Sequence, residues 1–329
     1  MRAVIDLDYI KYSAAAAGEK RTIKAVHKST GDEFDCKTRT EFYGHWIKKE
    51  GGILKDFNET NGKDYVAEDF EIIDIQKPEP IENVLHTAKM MFQSALHLSQ
   101  AESYEAYLGK GDSFRVALST LLKYKGNRDD LLIPLALPEV TEYLIKTVKP
   151  EIITGIEADD AVVMSANGRK DKVVIGVDKD YRGCSVILMN PNKPEEGALD
   201  CSGFGSLWID AKGKVTGKGR IFFYFQVLSK DVTDNYAANC FSDIAWADKS
   251  AYKVLAPCKD DKQALAALVK AYQYLYPEPK VVTGWKGNEI EIDWLYVARE
   301  NWHMARMLRW EGDNVDLTDV LTKFKLLGG

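Results

Sequence analysis

The residues best suited to chemistry in this chain are carboxylates, which occur in four short groups. In the segment IEADDAVV, three carboxylates lie within four residues and apolar residues follow at once. Such crowding raises the pKa of each acid and costs stability unless a cation compensates the negative charge. The other groups lie in VIDLD, GVDKDY and KDVTDN. The acids concerned are Asp6, Asp8, Glu157, Asp159, Asp160, Asp178, Asp180, Asp231 and Asp234.

The positions of these groups along the chain distinguish between two interpretations, helix caps and a metal site. Asp and Glu are favoured at helix N-termini, so a single EADD segment is more often a helix cap than a set of ligands. Three of the groups, however, follow predicted strands, and the carboxyl ends of parallel strands share one edge of a sheet. The fourth group, Asp231 and Asp234, follows the apolar run IFFYFQVL. Its i, i+3 spacing presents both carboxylates from one turn of backbone, so the four groups together favour a metal site.

Magnesium is the ion that this set of ligands fits best. It prefers hard oxygen ligands and takes one or two carboxylates per ion, together with water and substrate phosphate oxygens. Seven or more acids exceed the needs of one ion. Two ions about 3.5–4 Å apart clamp both oxygens of an in-line phosphoryl displacement. The residues alone therefore predict an enzyme that acts on phosphate esters with two or more Mg²⁺ ions. We expect that Mn²⁺ can substitute for Mg²⁺ at these sites.

A basic and aromatic stretch, Gly109 to Asp129, follows the predicted strand YEAYL. Cations neutralise backbone phosphates, and aromatic rings stack on unpaired bases. The alternative is a solvated helix face, which is the commoner outcome for an isolated basic run. The position beside the expected metal site favours phosphate contact. The candidate contacts are Lys110, Arg115, Lys123, Tyr124, Lys125 and Arg128.

Strands and helices that would position these residues alternate along the chain. AVIDL predicts a strand, YIKYSAAAAG a helix that ends at Gly18, and NVLHTAKMMFQSALHLSQA a second helix. YEAYL, EIIT and KVVIGV predict strands, and LPEVTEYLIKTV and ADDAVVMSAN predict helices between them. This alternation predicts an α/β fold with a twisted, mainly parallel sheet flanked by helices.

The remaining segments differ in character. Residues 19–80 predict an inserted subdomain, with short strands around a Ser-Thr-Gly turn and then the turn-rich segment EGGILKDFNETNGKDYVAEDF. We expect Arg39 and Lys48 or Lys49 in this subdomain to face DNA. Residues 190–220 look loop-like, and the chain from Ile221 looks helical almost to its end. The predicted domains are a core of residues 1–18 and 81–230, the insertion 19–80, and a helical C-terminal region 231–329.

Composition limits the class of protein. The chain has 329 residues, of which 45% are hydrophobic and 29% charged, as is usual for globular proteins. No apolar run approaches the roughly 20 residues that span a bilayer, and Met1 leads directly into a predicted strand. The five cysteines lack CxxC spacing, so we expect neither a disulfide framework nor a zinc site, and a cytoplasmic location without a membrane partner. Because the net charge is −6, contact with nucleic acid would depend on a local basic patch and not on the overall charge.

Taken together, the motifs resemble the 5′→3′ exonuclease and flap endonuclease family of the PIN-like nuclease superfamily, especially its phage-encoded members. IEADDAVV is similar to the family's G-x-E-A-D-D helix start, GVDKDY to its strand-end aspartate pair, and KDVTDN to G-D-x-x-D-N. VIDLD resembles the first-strand aspartate motif and FRVALSTLLKYKGNR the F-R…Y-K-G-N-R segment, while HMARMLRW resembles a C-terminal stretch of phage exonucleases. The resemblance covers residues 1–17 and roughly 100–310.

The resemblance implies a PIN-like fold and assigns roles to individual residues. It implies that Lys125 and Arg128 contact the scissile phosphate from a helical gateway. It also implies that two or more Mg²⁺ ions are held by Asp6, Glu157, Asp159, Asp160, Asp178, Asp180, Asp231 and Asp234.

The chain departs from the family at two places. The family has an aspartate after its second strand, whereas here the strand ends in Leu108-Gly109 and the nearest acid is Asp112. The segment NYAANCFSDIAWADKSAYKVL stands where the family has a glycine-rich helix–turn–helix that binds duplex backbone and often K⁺. We therefore expect no K⁺ site here, and duplex contact through side chains such as Lys249 and Lys253.

The sequence thus predicts a monomeric, Mg²⁺-dependent 5′→3′ exonuclease with structure-selective flap endonuclease activity. Its expected partner is DNA with a duplex 5′ end, a flap or a single-strand junction. Two alternatives stay open. A nuclease that removes RNA primers from RNA–DNA hybrids would use the same residues. A protein that binds branched DNA without cutting it would gain nothing from uncompensated carboxylates beside phosphates.

Overall fold

The computed structural model describes residues 1–45, 51–129 and 131–327. Within it the chain forms two compact units. The first unit comprises Met1–Ile10, Met91–Leu132 and Ile145–Gly329, and the second comprises Lys11–Met90 and Ile133–Leu144. Residues 19–80 lie entirely in the second unit, whereas residues 231–329 belong to the first. Lys48 and Lys49 lie outside the described residues.

The first half of the chain alternates between strands and helices. It begins with β1 (Arg2–Asp6), α1 (Leu7–Ala17), β2 (Glu19–His27), β3 (Glu33–Cys36), α2 (Arg39–Tyr43), α3 (Gly52–Asn61), a 3-10 turn at Ala67–Asp69 and β4 (Phe70–Pro78). It continues with α4 (Ile81–Ser99), β5 (Ser103–Ser113), α5 (Phe114–Leu118), a 3-10 turn at Gly126–Arg128, α6 (Leu137–Val148), β6 (Glu151–Gly155) and α7 (Ala158–Ala166).

The second half contains short strands before and between its helices. The elements are β7 (Lys172–Ile175), a 3-10 turn at Lys179–Gly183, β8 (Ile187–Met189), a 3-10 turn at Pro194–Glu196, β9 (Ala198–Asp200), β10 (Ser206–Ile209), β11 (Val215–Lys218) and α8 (Arg220–Leu228). They are followed by β12 (Lys230–Asp231), β13 (Tyr236–Ala237), α9 (Asp248–Leu255), α10 (Asp261–Leu275), β14 (Lys280–Thr283), β15 (Glu289–Ile292), α11 (Trp294–Ala305) and α12 (Leu317–Lys323).

A six-stranded sheet organises the first unit. Its strand order is β6-β5-β1-β7-β8-β9, and every pairing is parallel except that of β8 with β9. Strand β1 lies in the interior of the sheet, and four of its five residues are buried. Such apolar strands are typical of a parallel sheet covered by helices on both faces. The predicted α/β class, the mainly parallel sheet and the strands in YEAYL, EIIT and KVVIGV are therefore confirmed.

The second unit contains an antiparallel sheet of three strands in the order β3-β2-β4. Strand β2 pairs with both neighbours, so the strands predicted around the Ser-Thr-Gly turn are present. The expectation of a turn-rich segment after residue 50 was wrong over Gly52–Asn61, which forms helix α3. The glycines there delimit the helix, because Gly51 occupies the N-cap and Gly62 ends the helix in the left-handed conformation.

Two other expectations about secondary structure were also wrong. Residues 190–220 contain β9 and the antiparallel hairpin β10–β11, and the C-terminal region contains the hairpin β14–β15. These strands have only three or four residues, and most residues in β10 are exposed. Without a buried apolar face they carry little of the alternating pattern by which strands are recognised.

The C-terminal half of the first unit is built around helix α8. Every residue from Ile221 to Leu228 is buried, because the helix lies among α9, α10 and α11. The core formed there also includes Leu268, Tyr272 and Trp302. No helix in the described part of the chain combines the length and the apolar character needed to span a membrane.

Gly176, which follows β7, tests how tightly the edge of the sheet is packed. A Cβ atom at Gly176 would lie 2.4 Å from the ring of Tyr181, which is fully buried. We expect Gly176→Ala to destabilise the protein by about 1–3 kcal/mol, because the enclosed ring has nowhere to move. Urea unfolding measures this change.

Tyr181→Phe is the control for this substitution. It removes the 3.3 Å hydrogen bond from the Tyr181 hydroxyl to Asp6 Oδ2 but leaves the ring in place. We expect it to cost about 1 kcal/mol or less. A loss below about 0.5 kcal/mol for Gly176→Ala would contradict the proposed close packing.

Candidate metal centre

The topology of the sheet brings the predicted acids to one edge. Strands β6, β5, β1 and β7 are consecutive neighbours and run parallel, so their carboxyl ends lie on the same side. Asp6 ends β1, the EADD segment follows β6, and Asp178 follows β7. Two sets of three acids have ligand atoms within 4.8 Å of one another, namely Glu157, Asp159 and Asp160, and Asp180, Asp231 and Asp234.

Asp160 is held by protein donors on every side. Its two oxygens accept hydrogen bonds from Arg115 Nη1 and Nη2, each at 2.7 Å, from Leu308 N at 2.8 Å and from Glu157 N at 3.2 Å. A carboxylate offers about four acceptor positions, and here all of them are used. Asp160 is fully buried. Although its distance from Glu157 and Asp159 suits a shared ion, we therefore reassign Asp160 from metal ligand to positioning residue.

Arg115 is the partner that fixes this arrangement. It is 2% exposed, and besides Asp160 it contacts Glu157 Oε2 at 2.9 Å and the carbonyl oxygen of Arg306 at 2.6 Å. A planar guanidinium can hold two carboxylates in fixed geometry through its fork of donors. The prediction that Arg115 contacts DNA is wrong, because the side chain lies inside the protein.

Glu157 collects donors from the predicted basic stretch. Its carboxylate accepts a hydrogen bond from the Tyr124 hydroxyl at 2.8 Å and forms a short ion pair with Lys125 Nζ. Tyr124 is 3% exposed, so the prediction that it contacts DNA is also wrong. Lys125 is half-buried, and its Nζ lies 3.8 Å from Asp234 Oδ1. Lys125 therefore lies between the two sets of acids.

Asp159 differs from its neighbours because one of its oxygens, Oδ1, is buried and accepts no hydrogen bond from any residue that the structure describes. Burial, followed by the charges of Glu157 and Asp160, raises the pKa of Asp159 well above its ordinary value. A buried carboxylate oxygen without a donor is costly. A cation at this position would remove that cost.

The second set of acids is partly compensated. Lys179 Nζ lies 2.6 Å from Asp231 Oδ2, and the amides of Thr233 and Asp234 donate to Asp231 Oδ1. Burial alone would raise the pKa of Asp231, but these donors outweigh it and the pKa is lowered. Asp180 accepts a short hydrogen bond from Gln226 Nε2. Burial and the charge of Asp178 nevertheless raise the pKa of Asp180 well above its ordinary value.

Asp234 connects the second set to the basic stretch. Arg128 Nη2 lies 3.3 Å from Asp234 Oδ1, and Arg128 Nε donates to the carbonyl oxygen of Thr233. Burial raises the pKa of Asp234 to about 6, even though the charge of Lys125 opposes the shift. The side chain of Arg128 is 41% exposed, so it reaches both the acids and solvent.

Asp6 and Asp178 lie at the ends of neighbouring strands. Burial and the charge of Asp8 raise the pKa of Asp6 to about 7, and the charge of Asp178 adds to this shift. Burial also raises the pKa of Asp178, although the amide of Asp180 donates to it at 2.8 Å. Neither acid has a cationic side chain within ion-pair distance among the described residues.

Lys110, Lys123, Lys249 and Lys253 lie outside this centre. Lys110, Lys249 and Lys253 are exposed, whereas Lys123 forms an ion pair with Asp129. Asp112 is exposed and belongs to neither set of acids found among the described residues. Asp8 instead lies beside β5, the strand that contains Leu108-Gly109. Its Oδ1 accepts a hydrogen bond from the amide of Gly109 at 3.3 Å.

Three residues that support the acids were not singled out from the sequence. Tyr181 and Lys179 lie inside the GVDKDY segment and contact Asp6 and Asp231. Gln226 contacts Asp180 and is the only amide side chain in the otherwise aliphatic and aromatic run IFFYFQVL. A polar residue in an otherwise buried helix needs a partner, which is the signal that would have identified Gln226.

The donor set suits magnesium. Every candidate ligand atom is a carboxylate oxygen, the hard ligand that Mg²⁺ prefers. Asp159 has a buried oxygen without a donor, and neither Asp6 nor Asp178 has a cationic side chain at ion-pair distance, among the described residues, so negative charge is left uncompensated. The residues present therefore fit divalent cations. Comparison with protein-family models gives no match for this chain, and no curated protein matches it.

We expect the metal-free protein to lose stability as the pH rises from about 5 to about 7. The pKa of Asp6 is about 7 and that of Asp234 about 6, whereas the ordinary value is 3.8. In this range the folded protein binds more protons than the unfolded chain, so rising pH favours unfolding. Mg²⁺ should cancel most of the loss, because it favours the ionised carboxylates. Thermal unfolding across this range, in EDTA and in Mg²⁺, measures both effects.

Asp6→Asn is the control, because it removes the acid with the larger shift and should flatten the pH dependence in EDTA. Acids with lowered pKa values, such as Asp316, complete their titration below this range and do not mask the effect. Stability in EDTA that is constant or increases over the range would contradict the buried state of these acids.

Proposed function

We propose that the protein is a Mg²⁺-dependent nuclease that hydrolyses phosphodiester bonds. One observation carries the proposal: five acids besides Asp160 form two close sets, Asp6 and Asp178 end or follow neighbouring strands, and Asp159 has a buried oxygen that no described residue satisfies. Two magnesium ions bound there would activate water and stabilise the leaving oxygen of an in-line displacement. A protein that only binds branched DNA would have no use for this much negative charge near phosphates.

The candidate ligands fall into two sets that are bridged by one lysine. Glu157 and Asp159 belong to the first set, and Asp180, Asp231 and Asp234 to the second. Asp6 ends β1, and Asp178 follows the neighbouring strand β7. The charge of Asp178 contributes to the raised pKa of Asp6. Arg115 and Asp160 hold the first set in place, while Gln226 and Lys179 orient the second.

Lys125 and Arg128 are the groups that we propose contact the scissile phosphate. Both carry cations beside the acids, and both are partly exposed, so a phosphate can reach them from solvent. Lys125 has a left-handed backbone conformation with φ of 56°, and its amide donates to the carbonyl oxygen of Asp234 at 3.0 Å. This contact ties the position of Lys125 to the second set of acids.

The direction and substrate of cleavage rest on the motifs. The order of VIDLD, the F-R…Y-K-G-N-R segment, IEADDAVV, GVDKDY and KDVTDN supports a PIN-like 5′→3′ exonuclease and flap endonuclease acting on DNA as a monomer. Lys110, Lys123, Lys249 and Lys253 are the proposed contacts to the DNA backbone. Cleavage of end-labelled duplex, flap and RNA–DNA hybrid, with and without Mg²⁺, tests these assignments and separates DNA digestion from removal of RNA primers.

Asp178→Asn should reduce cleavage by at least on the order of 100-fold, because it removes a carboxylate that is available to a metal ion. DNA affinity should stay similar or rise, since the substitution also removes a charge that repels phosphate. Rates of cleavage and equilibrium binding to the same flap substrate measure the two effects separately.

The matched control is Asp319→Asn, which removes an exposed acid on α12 outside the centre. It should leave both rate and affinity unchanged. If Asp178→Asn cleaved within about threefold of the wild-type rate, Asp178 would not be a metal ligand.

Lys125→Ala should slow single-turnover cleavage by roughly 100-fold and weaken binding much less, because Lys125 stabilises charge that develops on the phosphoryl group. Lys123→Ala is the control, since Lys123 lies two residues away and pairs with Asp129 rather than with the acids of the centre. It should affect affinity alone. An unchanged single-turnover rate for Lys125→Ala would exclude the proposed contact with the reacting phosphate.

A further inference from the structure

A small cavity lies beside the C-terminal end of helix α11, and none of the acids of the metal centre lines it. Its volume is about 160 Å³. Three arginines line it, and none of the described lining residues is acidic. The lining residues that matter below are Arg220, Arg306, Arg309, Phe223, Trp302 and Trp310.

Two of the three arginines are neutralised by acids behind the cavity. Arg220 forms a bidentate pair with Asp261 at 2.8 and 2.9 Å. Arg306 is buried, and its Nη1 lies 2.6 Å from Asp313 Oδ2. Such pairing allows a cation to be buried at moderate cost. Because of this pairing, Arg220 and Arg306 form part of the cavity wall and can donate hydrogen bonds, but their charges are already compensated.

Arg309 is the exception. The residue is half-buried, and within the described part of the chain its buried Nε has no hydrogen-bond partner and its guanidinium forms no ion pair. It lies 5.6 Å from the centroid of the Phe223 ring. Part of this cation is therefore shielded from water without a compensating partner among the described residues, which makes the position suitable for an anion. Planar guanidinium groups bind phosphate through two parallel hydrogen bonds.

The walls of the cavity are aromatic. Phe223 and Trp302 are buried and pack edge to face with ring centroids 4.7 Å apart. Trp310, by contrast, is 49% exposed although it lines the same cavity. Aromatic rings that border cationic grooves stack on nucleobases, and this stacking tolerates any base. Trp310 therefore offers a stacking surface at the opening, and Arg309 a charge next to it.

We propose that this cavity binds one nucleotide, with its phosphate on Arg309 and its base against Trp310. The volume is below the roughly 300–1,000 Å³ of pockets that enclose drug-sized ligands, so it suits a phosphate, with the base remaining at the opening. The nucleotide is either a free mononucleotide or the phosphorylated end of a strand, which present the same chemistry.

The proposed site is connected to the metal centre through backbone. The carbonyl oxygen of Arg306 accepts a hydrogen bond from Arg115, and the amide of Leu308 donates to Asp160. The side chains of Arg306, Arg309 and Trp310 line the cavity from the same short segment. The proposal does not depend on nuclease activity, because nucleotide binding can be measured without divalent ions.

The test is calorimetric titration of the full chain in EDTA with dAMP, deoxyadenosine and inorganic phosphate. We expect dAMP to bind at least roughly tenfold more tightly than either fragment, because it engages both Arg309 and Trp310. Arg309→Gln should weaken dAMP by roughly tenfold or more, and Trp310→Ala should reduce dAMP to the affinity of phosphate. Lys270→Gln is the charge-matched control, since Lys270 is exposed on α10 and outside the cavity.

Folding of each variant is checked by thermal unfolding. Arg309→Gln should be about as stable as wild type, because it removes a half-buried cation that forms no ion pair with the described residues. Arg309→Lys, which keeps the charge but not the planar fork, should retain only part of the affinity. Equal dAMP affinity for wild type and Arg309→Gln, or equal affinity of wild type for dAMP and phosphate, would overturn the proposal.

A second arm identifies the source of the nucleotide. A short single-stranded oligonucleotide is compared with and without a 5′-phosphate in wild type and Arg309→Gln. If the phosphate strengthens binding only when Arg309 is present, the occupant is a strand end. If Arg309 matters for dAMP alone, the occupant is a free mononucleotide. If Arg309 matters for neither, the site does not exist.

Discussion

The repulsion among carboxylates at one edge of the central sheet is the constraint on which the rest of the structure depends. The sheet order places the ends of β6, β5, β1 and β7 side by side, so the chain cannot disperse this charge. It compensates part of it with its own cations. Arg115 pairs with Asp160, Lys179 with Asp231, and Lys125 lies between Glu157 and Asp234. Asp6, Asp159 and Asp178 are left without a cationic partner at ion-pair distance among the described residues.

The contacts of Arg115 and Asp160 join parts of the chain that are distant in sequence. Arg115 follows β5, Asp160 begins α7, and the backbone at Arg306 and Leu308 comes after α11. One buried guanidinium therefore joins three segments that are far apart in sequence. Removing it would leave the fully buried Asp160 unpaired, which is costly in a medium of low dielectric constant. The ion pair with Arg115 fixes the position of Asp160 within the first set of acids.

The parallel sheet and the convergence of the acids could be predicted from the sequence, because each follows from a local pattern of residues. Alternating apolar strands and helices specify a parallel sheet, and the sheet specifies which acids converge. Helix α3 and the hairpins β10–β11 and β14–β15 were not predicted, because capping glycines resemble turns and short exposed strands lack periodicity. The roles of Arg115 and Tyr124 were also missed. Both lie in a basic stretch, and only their burial distinguishes them from exposed neighbours such as Lys123.

The EADD segment shows most clearly what sequence cannot resolve. Asp159 and Asp160 are adjacent and chemically identical, yet Asp160 accepts four hydrogen bonds from the protein while an oxygen of Asp159 accepts none. The difference arises from α7, because consecutive helical residues point about 100° apart and so meet different surroundings. Asp160 contacts Arg115 and the segment after α11, whereas Asp159 lies close to Glu157. Helical geometry thus separates two adjacent like charges, one fixed by protein donors and the other with a carboxylate oxygen that meets no donor among the described residues.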